Sequence, residues 1–222
     1  MKIKALIFDF DGLILDTEEP DFLSWQETYQ FYGGELKLAT WLPFIGAGTT
    51  SIPFDIYDHL EKQIGRELDR AEVRRRRRRR YAELLAARPI LPGIEKWIAD
   101  AERLGIRLAV ASSAEREWVV GHLTERGLLE HFEFVTCEDE VKFTKPDPDL
   151  YLLTLKKLGI GAEEAMALED SLKGVRAARV AGIFCVAVPN PLMREFLFEE
   201  ADLRLRTLAE GELEDVIAGS TF

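Results

Sequence analysis

Along the chain, short unbroken apolar runs alternate with longer segments whose apolar positions recur every three or four residues. The runs are IKALIFDF (3–10), IRLAVAS (106–112), FEFVTC (132–137), AMALE (165–169) and IFCVAV (183–188), each followed by a helix-sized stretch. Strands that are apolar throughout are buried on both faces, which predicts a parallel sheet covered by its crossover helices. The alternation breaks once. Between residues 16 and 89 the periodicity is helical only: Trp25, Tyr29 and Tyr32 share one face, Ile56, Leu60 and Ile64 another, and Glu67 to Arg88 reads as a longer helix ending near Pro89. The segment LPGIEKWI, with Pro92 and Gly93 ahead of a new amphipathic helix, returns to the α/β pattern. The expected architecture is therefore an α/β, Rossmann-like three-layer core with a parallel β-sheet, formed by residues 1–15 and 90–222. An all-helical cap domain, residues 16–89, is inserted after the first strand.

Composition narrows the classes of function. The chain has 222 residues, 47% of them hydrophobic, and a formal charge of −11, so it can bury a sizeable core. Seven consecutive arginines, VRRRRRRRY from Val73 to Tyr81, hold the basic character in one place, and without them the chain would be seven units more negative. Such a surface repels phosphate backbones, so no nucleic-acid partner is expected. No apolar stretch has the length of a membrane span, and MKIKALIFDFDG carries two aspartates where a signal peptide keeps its apolar core, so a cytoplasmic protein without a membrane partner is expected. Cys137 and Cys185 stand alone in strand-like segments and read as buried free thiols. His59, His122 and His131 lie away from every candidate motif.

The strongest chemical signal is DFDGLILDT, residues 9–17. A turn capped by an aspartate explains one carboxylate, but not two of them two residues apart at the end of an apolar strand, where both point the same way. Burying them without partners costs several kcal/mol each, a cost that a metal ion or another positive group offsets. Ser112, Glu169 and Asp170 also end apolar runs, and open parallel sheets bind ligands beyond the carboxyl ends of their strands. Read alone, Ser112 and Ser113 could cap the helix beginning AEREWVV, Glu169 and Asp170 could cap SLKGVRAARVAG, and Lys145 could be an ordinary loop lysine.

Four motifs in order, DFDGLILDT (9–17), VASSA (110–114), KPDPDLY (145–151) and LEDSLKGVRAARVAG (168–182), make the chain resemble the haloacid dehalogenase superfamily over nearly its whole length. The nearer likeness is to the helical-cap phosphatases of the β-phosphoglucomutase-like group. That resemblance implies Asp9 as the nucleophile that forms an aspartyl-phosphate, and Asp11 as the acid that protonates the leaving alcohol and then deprotonates the attacking water. It implies Lys145 and Mg²⁺ as the charges that neutralise the phosphoryl oxygens. The metal would be held by Asp9, Asp170, the main-chain carbonyl of Asp11, and Glu169 directly or through water. Ser112, Ser113 and the loop of Gly12 would bind the phosphate, with Thr17 closing the first motif beside Asp16, a turn-stabilising hinge residue. Thr144 stands where relatives usually have glycine.

Within the family, Asp11 argues against dehalogenation. Sugar-phosphate mutases of the β-phosphoglucomutase type carry a histidine where this chain has Asp21, and a cap arginine for a second phosphate where FIGAGTTS places Thr49 and Thr50. The expectation is a phosphatase acting on a small phosphorylated metabolite, a monomer whose cap opens and closes over the site. A mutase and a catalytically silent phospho-ligand-binding protein are the alternatives. On a helical wheel anchored by Val73 and Leu84, Arg77 and Arg80 turn inward while Arg75, Arg78 and Arg79 face away; a solvated helix face is the expected role of the run, and attraction of an anionic substrate by Arg77 or Arg80 is the alternative.

Overall fold

The computed structural model describes residues 3–46 and 54–219. Six parallel strands form one sheet in the order β3-β2-β1-β4-β5-β6. They are β1 (Ala5–Phe8), β2 (Arg107–Ala111), β3 (Phe134–Thr136), β4 (Ala165–Glu169), β5 (Phe184–Ala187) and β6 (Leu203–Arg204). β1 is central, paired in register with both neighbours, so that Phe8 faces Val110 on one side and Leu168 on the other. Its four residues are all buried. Alternation divides them: Leu6 and Phe8 pack with one core cluster, Ala5 and Ile7 with the other, as a period of two requires of a strand covered on both faces. Each large side chain so buried contributes about 1.5–3 kcal/mol.

Helices α5 (Ile94–Leu104), α6 (Arg116–Glu125) and α9 (Leu213–Gly219) supply Trp97, Val119, Leu123 and Leu213 to the first cluster. Helices α7 (Asp149–Leu158) and α8 (Leu172–Val180) supply Leu150, Tyr151, Val175 and Ala178 to the second. Between β1 and α5 run α1 (Glu18–Tyr32), the short α2 (Leu38–Trp41), α3 (Ile56–Ile64) and α4 (Arg70–Ala86). Asp55 and Asp69 start α3 and α4 by accepting main-chain N–H groups of the first turn, Tyr57 at 2.8 Å and Ala71 at 2.9 Å. Phe22, Trp25 and Tyr29 of α1 pack with Leu60 of α3 and Val73 of α4.

Three details differ from the sequence expectation. Strand β6 has two residues at the sheet edge, too short to show any periodicity. Helix α4 begins at Arg70, because Asp69 caps it, rather than at Glu67. Leu85, not Leu84, is its second buried residue. It joins the first cluster while Val73 joins the second, so the two ends of α4 bury different faces and a single wheel cannot describe both. Among the described residues no helix is long and apolar enough to cross a membrane, and Cys137 and Cys185 are buried and free.

Candidate active site

The ends of β1, β2 and β4 and the loop before α7 meet at the carboxyl edge of the sheet. Asp9, Asp11, Thr17, Ser112, Ser113 and Lys145 line one cleft of about 430 Å³ there, with Glu18, Trp41, Tyr81 and Trp118 among its other walls. Glu169, Asp170 and Gly12 are buried nearby, Glu169 in contact with Lys145 of the cleft and Gly12 against Asp170. The register explains the convergence, since Asp9 donates its N–H to Leu168 O at 3.0 Å and therefore ends level with Glu169 and Asp170.

Lys145 is 2% exposed and reaches both Asp9 Oδ1 at 2.5 Å and Glu169 Oε1 at 2.6 Å. Burial opposes its charge, but the attraction of Asp9 and Glu169 outweighs it and holds the ammonium above its ordinary range. Asp9, Glu169 and Asp170 place carboxylate oxygens within 4.8 Å of one another. Burial, with Asp9 next, pushes Asp170 well up, and burial pushes Glu169 up to about 7. Glu169 Oε2 is buried with no hydrogen-bond partner. Three buried carboxylates against one ammonium leave negative charge over, and hard oxygen donors with one orphaned atom fit a small divalent cation. Gly12 makes the arrangement possible: its φ is +81°, and a Cβ there would overlap Asp170 Oδ2.

Asp11 is held differently. Its Oδ1 accepts a hydrogen bond from Trp118 Nε1 at 3.0 Å, and Thr17 bonds to it as well. Burial and then the neighbouring Asp9 push its carboxyl up to about 6. Its side chain is thus turned to Trp118 and Thr17, and the acidic cluster consists of the other three residues. Glu18, beside Asp11, is pushed up to about 8 by burial and then by that neighbour.

The capping roles considered for the strand-end polar residues belong to others. Helix α6 begins three residues after Ser113, with Asp139 Oδ2 accepting from Arg116 N at 2.7 Å, so the first turn of α6 does not start at the serines. Ser112 Oγ instead accepts from Ala114 N at 3.1 Å, and Ser113 Oγ is buried without a partner. Ser171, rather than Glu169 or Asp170, caps α8 through Gly174 N at 3.1 Å. Asp16 accepts from Glu19 N and pairs with Arg88 at 3.1 Å, tying together the chain entering and leaving the helical insertion. Leu15 and Ile90 form a β-bridge at the same place.

Sequence reasoning missed Trp118, Asn190, Tyr151 and Arg88. Asn190 Nδ2 donates to Asp170 Oδ2 at 2.6 Å, and Tyr151 donates to Glu169. Asn190 follows β5 closely, so the strand-end argument extended one strand further would have found it. Of the two inward arginines, Arg77 lines the cleft and is pulled down to about 10 by burial, whereas Arg80 is turned to Glu27 and Glu83. Thr49 and Thr50 lie outside the described residues.

Comparison with known proteins gives the family. The pattern of the haloacid dehalogenase-like hydrolases matches residues 6–188. A candidate phosphatase of Bacillus subtilis, YhcW, is 43% identical over 211 residues, covering 95% of this chain and 94% of its own. The phosphorylated carbohydrates phosphatase of Thermotoga maritima is 30% identical over 181 residues, 82% of each chain. Among solved structures, the β-phosphoglucomutase of Clostridium difficile superposes with a TM-score of 0.77 over 98% of this chain and 97% of its own, at 22% identity, a likeness of fold. The chain belongs to the haloacid dehalogenase-like hydrolases.

Proposed function

We propose that the protein is a Mg²⁺-dependent phosphatase that hydrolyses a small phosphorylated metabolite through an aspartyl-phosphate on Asp9. The observation that carries this reading is the unequal treatment of two carboxylates in one cleft. Asp9 is salt-bridged to a buried lysine, as a nucleophilic anion requires, while Asp11 has its carboxyl pushed up to about 6, as a proton donor requires. The phosphatase names of YhcW and of the Thermotoga maritima protein support the same reaction.

In the first step an Asp9 oxygen bonds to phosphorus as the bond to the leaving oxygen breaks, and Asp11 passes its proton to that oxygen. In the second step Asp11 takes a proton from water as the water oxygen attacks phosphorus, and the Asp9 carboxylate leaves. Lys145, Ser112, Ser113 and the N–H groups around Gly12 hold the phosphoryl oxygens. Asp9, Asp170 and the carbonyl of Asp11, with Glu169 directly or through water, are the ligands for Mg²⁺, which supplies positive charge against the phosphoryl group. Residues 16–89 act as a cap over the core of 1–15 and 90–222, hinged where Asp16 meets Arg88.

Asp9→Asn tests the reading directly. Hydrolysis of p-nitrophenyl phosphate with Mg²⁺ should fall by at least about 10³-fold in a folded variant. Undiminished turnover would sink the covalent mechanism.

A further inference from the structure

We infer that Trp118 is a positioning residue for proton delivery: its indole N–H fixes one oxygen of the Asp11 carboxyl, so that the other oxygen hands the proton to the leaving group. This rests on the phosphatase reading and adds to it a residue outside the four motifs.

The placement begins in the sequence of α6. That helix buries Val119 and Leu123, four residues apart, and so fixes its rotation against the core. Trp118 lies one residue, about 100°, off the buried stripe; it is half-buried and lines the cleft. Its Nε1 stands 3.0 Å from Asp11 Oδ1. Two rings hold the indole at that setting. His122, one turn further along α6, meets it edge-on with centroids 4.2 Å apart, and itself stacks at 6.2 Å on Phe10, the residue between Asp9 and Asp11. Tyr81, from α4 of the helical insertion, stacks on the indole at 5.9 Å with 23° between the planes. Edge-on and stacked contacts are favoured geometries of aromatic rings, so the indole is braced from core and insertion alike.

What the bond does follows from the kind of donor. Trp118 and the Thr17 hydroxyl both bond to the Asp11 carboxyl. A hydroxyl donates or accepts as its proton turns, whereas an indole N–H only donates. Oδ1 is therefore an acceptor in either protonation state, and the proton that moves belongs to Oδ2. In the first step an Asp9 oxygen bonds to phosphorus, the bond from phosphorus to the leaving oxygen breaks, and the proton passes from Oδ2 to that oxygen. In the second step Oδ2 takes a proton from the attacking water. Trp118 gains and loses nothing in either step. Its N–H stays on Oδ1 and keeps Oδ2 in place while the charge of the carboxyl alternates.

The test is a comparison of leaving groups, because proton delivery matters most when the departing oxygen is strongly basic. p-Nitrophenyl, phenyl and benzyl phosphate carry rings of like size on leaving oxygens of rising basicity. With Mg²⁺ present, kcat/KM, which reports the path up to phosphoryl transfer onto Asp9, is measured for the wild type and for Trp118→Phe, which keeps an aromatic ring and removes the N–H. The loss in kcat/KM should grow along the series and be at least about tenfold greater for benzyl than for p-nitrophenyl phosphate. An equal loss on all three esters, or none, overturns the inference and leaves Trp118 as a wall of the cleft. Wild-type hydrolysis of the nitrophenyl ester alone overturns it too, since Asp11 would then deliver no useful proton. Should Trp118→Phe melt early, benzothienylalanine at position 118, with the fused rings of tryptophan and no N–H, carries the same comparison. A wild type inert toward all three esters removes the phosphatase reading itself.

Discussion

Helix α4 and the carboxyl edge of the sheet both concentrate charge of one sign, and they do so at opposite cost. On α4 seven arginines follow one another, yet Arg74, Arg75, Arg76, Arg78 and Arg79 are exposed, Arg80 reaches Glu27 and Glu83, and Arg77 is turned inward, where burial pulls its pKa down. At the sheet edge Asp9, Asp11, Glu169 and Asp170 gather around Lys145, and burial raises the pKa of Asp11, Glu169 and Asp170. Like charges spread in water repel one another only weakly. Four in a low-dielectric cleft must be met by protons, by a metal or by a substrate. Chemistry follows burial rather than the number of charges.

The largest effect is expected where the buried charges touch. Gly12→Ala forces a left-handed backbone on a residue with a Cβ, costing about 1–2 kcal/mol, and drives that Cβ into Asp170 Oδ2. Displacing the Asp170 carboxylate should lower phosphatase turnover by about 10²-fold or more, and the melting temperature by about 5 °C. Wild-type activity in this variant would show that Asp170 has room to move and that the edge is not tightly packed.

How far the sequence reaches can be judged from the same residues. Strands β1 to β5 are visible because each is an apolar run, and Asp9, Asp11, Ser112, Glu169 and Asp170 are visible because polarity returns at the strand ends. Lys145 needed the family resemblance, since nothing local separates it from a surface lysine. Trp118 could not be paired with Asp11 from spacing, being 107 positions away in the chain. Arg88 was invisible for the same reason: its partner Asp16 is brought beside it only when the two chain segments flanking the insertion meet. The faces buried by α4 were misjudged because that helix serves two cores. Local pattern identifies elements and their ends; contacts between ends belong to the tertiary fold.

A smaller effect, and one with a definite sign, comes from pH. Asp11, Glu18 and Glu169 have folded-state pKa values raised from 3.8 or 4.5 to about 6, 8 and 7, with burial the first cause in each. A raised value means that the folded state holds the proton more tightly than the unfolded chain, so the linked stability is fully present at acid pH and is lost as pH rises through 6 to 8. Metal-free protein should therefore melt about 5 °C lower at pH 8 than at pH 5.5, as read by calorimetry or tryptophan fluorescence. Millimolar Mg²⁺ should recover much of that loss at pH 8, because a cation substitutes for the missing protons. A metal-free protein whose melting point rises over this interval would mean that the carboxylates carry their charge in the fold without penalty.

The smallest effect belongs to the arginines. Arg74, Arg75, Arg78 and Arg79 are exposed, and replacing all four with glutamine removes like-charge neighbours three and four apart while keeping good helix formers. Relief of repulsion, a few tenths of a kcal/mol per pair, is offset by weaker attraction to Glu27, Glu72 and Glu83, which line the same shallow groove. Stability should move by no more than about 1 kcal/mol in either direction, and kcat/KM for the best monophosphate by less than about twofold. If kcat/KM instead fell several-fold at low salt and recovered in the wild type's favour no longer at high salt, the arginines would be steering an anionic substrate from a distance. The contrast would then fail at its surface end, since exposed charge would be contributing to function without being buried.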